Sequence, residues 1–143
     1  MTDVISGVPH GAVLGPVLFL VHILGIYSNV SLGTQSSSFA DDTRIRRGVT
    51  SPEDCSLLQK DLESVYTWAD QINMTFNSGK FEWLRYSAGT SSPPEYKYLA
   101  PDSSAIPIKS DLKDLGVRIS TDLSFDLQIE KVVTTGRMGP KII

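Results

Sequence analysis

The chain has 143 residues, with 13 Lys+Arg against 16 Asp+Glu for a net charge of −3 at pH 7, and 41% of its residues are hydrophobic. One domain accounts for that length, and the composition excludes a collagen-like or wholly disordered chain. The acidic balance argues against a protein that holds nucleic acid by bulk positive charge.

A single cysteine, Cys55, leaves no internal disulfide, and no Cys/His set with zinc spacing surrounds His10 and His22. The expectation is a reduced, intracellular protein, nuclear or cytoplasmic and not secreted, with no signal peptide and no membrane partner. The sequons at Asn29 and Asn73 are inert without a secretory route. The most apolar stretch, Val13 to Ile26, is interrupted by Gly15, Pro16, His22 and Gly25, and is shorter than the roughly 20 residues a bilayer requires.

The chain opens on a bent segment, Ser6 to Pro16, that packs three Gly and two Pro into eleven residues and suits close approach of another group to the backbone. Val17 to Val21 is apolar on every side, as in a helix buried all round, with Pro16 in its first turn. A buried strand is the competing reading. Asn29 to Ser38 is small and polar and reads as a loop. Thr43, Ile45 and Arg47 alternate with Arg44 and Arg46, so a short strand leaves Asp41 and Asp42, which sit at or near a hairpin tip.

A helix is predicted from about Pro52 to Met74. Ser51 is the N-cap, Pro52 suits the first position, and Glu53 and Asp54 complement the helix dipole. Leu58, Leu62, Val65, Tyr66, Ala69 and Ile72 recur at helical spacing and form its buried face. Lys80 then opens a strand in which Phe81 and Trp83 share a face, and Ser87 to Pro94 is a loop. Tyr96–Leu99 and Ile106–Ile108 can pair as a hairpin, Leu115–Ile119 can form another strand, and Ser124 to Val133 reads as a helix with Leu127 and Val132 or Val133 inward. The order predicts an α+β fold, with helices packed on one face of a small antiparallel sheet.

Asp41 and Asp42 are the local grouping with an evident chemical use, because hard divalent cations prefer carboxylate oxygens. A turn lets both carboxylates serve one site, whereas neighbours on a strand point apart. A bare Asp-Asp pair is more often solvated and caps backbone amides. By residue type alone, Lys80 is an exposed lysine beside a turn, and Leu115-Gly116-Val117 is an ordinary strand with a Gly bulge.

The stretch Ser6-Gly7-Val8-Pro9-x-Gly11-x-Val13-Leu14-Gly15-Pro16 followed by Phe39-Ala40-Asp41-Asp42 resembles the reverse transcriptases of non-LTR (LINE- or jockey-like) retrotransposons. Later pieces agree in order: Leu58-Gln59-x-Asp61-Leu62, Trp68, Phe76-Asn77-x-x-Lys80, Asp114-Leu115-Gly116-Val117 and Asp122-Leu123-x-Phe125. The resemblance implies a partial polymerase palm over 1–122 and the start of a thumb or connecting helix over 123–143. It implies nucleotidyl transfer with Mg²⁺ (or Mn²⁺), using an RNA template, a DNA primer and deoxynucleoside triphosphates.

By the same resemblance, Asp41 and Asp42 are metal ligands, with Asp41 the stronger candidate for direct coordination. Phe39 and Ala40 lie under the primer end, and Leu115 and Gly116 belong to a hairpin that supports it. Gly7, Pro9, His10 and Gly11 touch the incoming nucleotide and template. Lys80 serves the departing pyrophosphate. His10 stands where the family usually has Gln, and Ala12 where it usually has Ser. The family's first catalytic aspartate lies on a strand upstream of the glycine-rich loop, and Asp3 is too close to that loop to replace it. The expectation is therefore an under-liganded site, inactive in isolation and completed by upstream palm, fingers and thumb. The alternative is a non-catalytic relic or interaction module of the same descent. Trp68, Trp83 and Val17 to Val21 are the expected places for bare apolar surface.

Overall fold

The computed structural model describes residues 13–40, 42–86 and 94–137. Helix α1 (Gly15–Ile23) runs into a 3-10 turn at Leu24–Asn29. Strands β1 (Thr34–Phe39) and β2 (Asp42–Arg47) follow, then the long helix α2 (Pro52–Gln71). Short strands β3 (Trp83–Leu84), β4 (Ile108–Lys109), β5 (Asp111–Asp114) and β6 (Val117–Ser120) lead to α3 (Asp126–Arg137). The architecture is α+β, as expected. The strands do not merge into one antiparallel sheet, however. Among the described residues they form three separate pairs, and β3–β4 is parallel.

Helix α2 is the spine, and its start is built as its sequence suggests. The Ser51 hydroxyl accepts the Asp54 amide at 3.3 Å, while the Asp54 carboxylate accepts the amides of Thr50 (3.0 Å) and Ser51 (3.1 Å) and the Thr50 hydroxyl (2.9 Å). This reciprocal box satisfies amides that a helix start otherwise leaves bare. The Thr50 amide, followed by its hydroxyl, holds the Asp54 carboxyl down to about 2 from its ordinary 3.8. A carboxyl depressed in the folded chain stabilises it fully above the unfolded pKa, and that contribution fades as pH falls through the folded one. Asp54→Ala is therefore expected to lower the urea midpoint most above about pH 4, with the gap to wild type narrowing as pH approaches 2. A gap independent of pH would contradict this role.

Two apolar clusters hang on this spine. Towards its C-terminal end, Val65, Trp68 and Ala69 pack with Ile23 and Ile26, and with partly buried Phe19, Val30, Ile45, Ile72, Met74 and Phe76. Towards its N-terminal end, Cys55 packs with Tyr98, Ala100 and Ile106, flanked by Leu58, Leu62, Phe81 and Trp83. The predicted face is thus the packed one: Val65 and Ala69 are buried, and Leu58, Leu62 and Ile72 are half-buried. The helix stops at Gln71 rather than Met74, where Asn73 takes a left-handed backbone (φ 56°) and the Met74 amide returns to the Ala69 carbonyl at 2.9 Å.

Gly25 is required where it stands. A Cβ there would run into the Trp68 indole, approaching Cε2 at 2.9 Å and Cζ2 at 3.1 Å. Trp68 is accordingly buried against the turn after α1, not bare as expected, and Trp83 is half-buried.

Helix α1 corrects the reading of a helix buried all round. Gly15, Phe19 and Ile23 face the spine, while Val17, Leu18, Leu20, Val21 and Leu24 lie more than half exposed on the other side. An apolar run reports affinity for a core, not the presence of one on every side.

Asn29 to Ser38 is not a loop throughout, since β1 begins at Thr34 and pairs with β2 along its length, Thr34 opposite Arg47 and Phe39 opposite Asp42. Lys80 does not open a strand; it ends a 3-10 turn, Ser78–Lys80, and the strand starts at Trp83. The expected pairing of the Tyr96 and Ile106 segments is present as a bridge between Leu99 and Ala105, with the Ile106 amide on the Tyr98 carbonyl at 2.8 Å. Leu115 and Gly116 form the turn between β5 and β6 rather than the start of a strand. Both have positive φ (46° and 89°), as a two-residue primed hairpin turn demands. In α3, Val132 and Val133 are exposed instead of inward, and Leu127 lies outside the described side chains.

Candidate metal-binding turn and its supports

The first hairpin carries the candidate site. Phe39 pairs with Asp42 across the ladder, so Asp42 opens β2 directly at the hairpin end, beside the turn that the sequence predicts. Ala40 has φ 53°, a left-handed backbone that suits a two-residue hairpin turn and disfavours most side chains. Asp41 itself lies outside the described residues, as do Gly7, Pro9, His10 and Gly11. The expected approach of Ser6–Pro16 to Asp41 therefore also falls outside them.

Asp42, Arg44 and Arg46 share the exposed face of β2, while Thr43, Ile45 and Arg47 are half-buried. Phe39 is exposed beside the turn. Among the described residues, no hydrogen bond or ion pair reaches the Asp42 carboxylate. A hard cation wants such an oxygen donor, so the chemistry of the donor fits. The donor number does not complete a site: among the described residues no three His, Cys, Asp or Glu side chains converge to hold a metal.

Contacts at three places fix this hairpin. Near the tip, the Ser38 amide donates to the Tyr27 hydroxyl at 3.1 Å on the β1 side. On the β2 side, Arg44 pairs with Asp114 at 2.7 Å. That ion pair joins the acidic turn's strand to the residue just before Leu115-Gly116, so two predicted site segments become neighbours. At the base, Asp61 of α2 accepts the Ser31 amide and hydroxyl, each at 2.9 Å, and the Thr34 hydroxyl. Arg47, the strand partner of Thr34, places Nη1 3.9 Å from Asp61 and Nε 3.6 Å from Asp54. Nε has no hydrogen bond, and the Asp54 and Asp61 carboxylates together offset the burial of the guanidinium.

The Leu58-Gln59-x-Asp61-Leu62 motif thus has a physical role in this fold. Gln59 is buried and mimics a strand neighbour: its Oε1 accepts the Leu99 amide at 2.8 Å and its Nε2 donates to the Leu99 carbonyl at 3.4 Å. One turn of helix therefore anchors the 94–106 segment through Gln59 and the acidic hairpin through Asp61. Position carried the signal, since Asp61 falls three residues after Leu58 and four before Val65, inside the apolar stripe.

Phe76-Asn77-x-x-Lys80 is likewise a built turn. Phe76 and Phe81 meet Tyr66 edge to face, with centroids 5.7–5.9 Å apart. The Asn77 side chain accepts the Gly79 amide at 3.1 Å. Burial pushes the Tyr66 hydroxyl above its ordinary range, and it donates to the Leu99 carbonyl at 3.1 Å. Lys80 is exposed at the end of this turn, and among the described residues no hydrogen bond or ion pair links it to the acidic hairpin.

Comparison with protein-family models, with curated proteins and with solved structures finds no match. No helix among the described residues is long and apolar enough to cross a membrane.

Proposed function

We propose that this chain is the palm part of an RNA-directed DNA polymerase of the non-LTR retrotransposon type. The observation that carries the reading is the hairpin in which Asp42 opens β2 opposite Phe39, after the left-handed Ala40, with the Leu115-Gly116 turn docked beside it through Arg44 and Asp114.

In this reading Asp41 and Asp42 hold Mg²⁺, which supplies charge stabilisation and a more reactive hydroxyl for nucleotidyl transfer. Phe39 and Ala40 lie beneath the primer end, and the exposed Phe39 ring offers it an apolar rest. The Ser6–Pro16 segment meets the nucleotide and template, and Lys80 answers the charge of the departing pyrophosphate. The bare face of α1, from Val17 to Leu24, is where further palm and fingers pack. The reading calls for a further carboxylate beside Asp41 and Asp42, so the 143 residues alone are expected to show no activity.

A second reading, a non-catalytic folded module of the same descent, draws on the net charge of −3, because an intact polymerase usually carries basic fingers and thumb. Manganese separates the two. In the ¹⁵N-labelled chain, substoichiometric Mn²⁺ is expected to broaden the amide signals of residues 40–43 first, and Asp41→Ala is expected to remove the effect. Broadening scattered over other carboxylates, with the turn untouched, would favour the non-catalytic module.

A further inference from the structure

Three charged side chains share the exposed face of β2: Asp42, Arg44 and Arg46. Residues two apart on one strand face stand about 7 Å apart at Cα, which an arginine side chain spans easily. Left to itself, Arg44 would therefore be the natural ion-pair partner of Asp42 and a competitor for any cation arriving there. Both guanidinium groups are engaged elsewhere. Arg46 Nε donates to Gln35 Oε1, its directly opposed neighbour, at 2.9 Å. Arg44 faces uncharged Ser37 across the ladder and reaches instead to Asp114 of β5, at 2.7 Å. The Asp114 side chain is mostly buried, at 15% exposure, whereas that of Arg44 is 45% exposed, so the carboxylate is the fixed partner.

We propose that Asp114 is a positioning residue for the acidic turn: by holding the Arg44 guanidinium, it keeps the Asp42 carboxylate free to meet a cation. This inference rests on the reading of Asp41 and Asp42 as cation ligands. It assigns a task to a residue of the second hairpin that touches neither the metal nor the substrate.

The test uses the ¹⁵N-labelled 143-residue chain and Mn²⁺ alone. The α2 amide shifts serve as the control that each variant is folded. Asp114→Asn is expected to raise the Mn²⁺ concentration needed to broaden the Asp42 and Thr43 amides by about two- to fivefold, the range expected of an exposed ion pair. Before metal is added, the same variant is expected to gain a nuclear Overhauser contact between the Arg44 Nε proton and the Asp42 β protons. The double variant Arg44→Gln/Asp114→Asn, in which no competing cation remains, is expected to return to wild-type Mn²⁺ binding.

Wild-type binding in Asp114→Asn would overturn the proposal. So would binding that stays weak in the double variant, because Asp114 would then act only by docking the two hairpins. Should wild type itself show no broadening at the turn, the metal reading fails, and the Overhauser contact alone decides whether Asp114 keeps Arg44 off Asp42.

Discussion

Asp61→Ala is expected to lower the unfolding free energy by about 3 kcal/mol, against a total of roughly 5–15 kcal/mol for a domain of this kind. Asp61 is 5% exposed and accepts three hydrogen bonds, from the Ser31 amide and the hydroxyls of Ser31 and Thr34. Removing it strands the buried Thr34 hydroxyl at a cost of about 1 kcal/mol or more, gives up the two Ser31 bonds to water, and leaves Arg47 with one fewer counter-charge. Asp54 still stands 3.6 Å from Arg47 Nε, which keeps the expected loss at the lower end of the range for a broken buried pair. Urea unfolding measures it as a lower midpoint at unchanged slope. Asp70→Ala, on the exposed side of the same helix, should stay within about 0.5 kcal/mol of wild type. A loss below about 1 kcal/mol for Asp61→Ala would contradict its role as the anchor of the hairpin.

The other large effect is on catalysis. Nucleotidyl transfer draws its rate from positioning and from metal electrostatics, so removing a ligand carboxylate costs orders of magnitude. In a chimera supplying the upstream palm strand and fingers of a related element, Asp41→Ala is expected to abolish primer extension, a fall of at least about a thousandfold. Lys80→Ala should only slow it, because Lys80 is exposed on a separate turn and the remaining groups still hold the metal. Equal losses in the two variants would contradict the division of roles.

What the sequence made legible follows from how local each cause is. Helix α2 depends on its own cap and its own apolar spacing, so both were readable before any partner was known. The alternation of Thr43, Ile45 and Arg47 likewise located β2, and Asp42 stands at its start, where the strand leaves the turn. Strand β1 escaped because Thr34-Gln35-Ser36-Ser37-Ser38 has neither apolar alternation nor β-branched density. Its order comes from the β2 ladder, Tyr27 and Asp61, none of which is legible in the strand's own residues. The apolar content of α1 identified a helix but could not say that one side would be bare.

The candidate site shows the same division. Asp42 and Ala40 stand where motif and turn chemistry put them, whereas the link between the two hairpins depends on Arg44 meeting Asp114 seventy residues later. Gln59 and Asp61 look like surface residues by type, and only their place within the buried stripe hinted otherwise.

The most direct measurement of the central claim is primer extension on an RNA template with Mg²⁺ or Mn²⁺, run on the 143-residue chain and on the chimera. No extension is expected from the chain alone, extension is expected from the chimera, and Asp41→Ala is expected to remove it. Robust extension by the isolated chain would contradict the incomplete metal site, and chimera extension indifferent to Asp41 would contradict the polymerase assignment of the acidic turn.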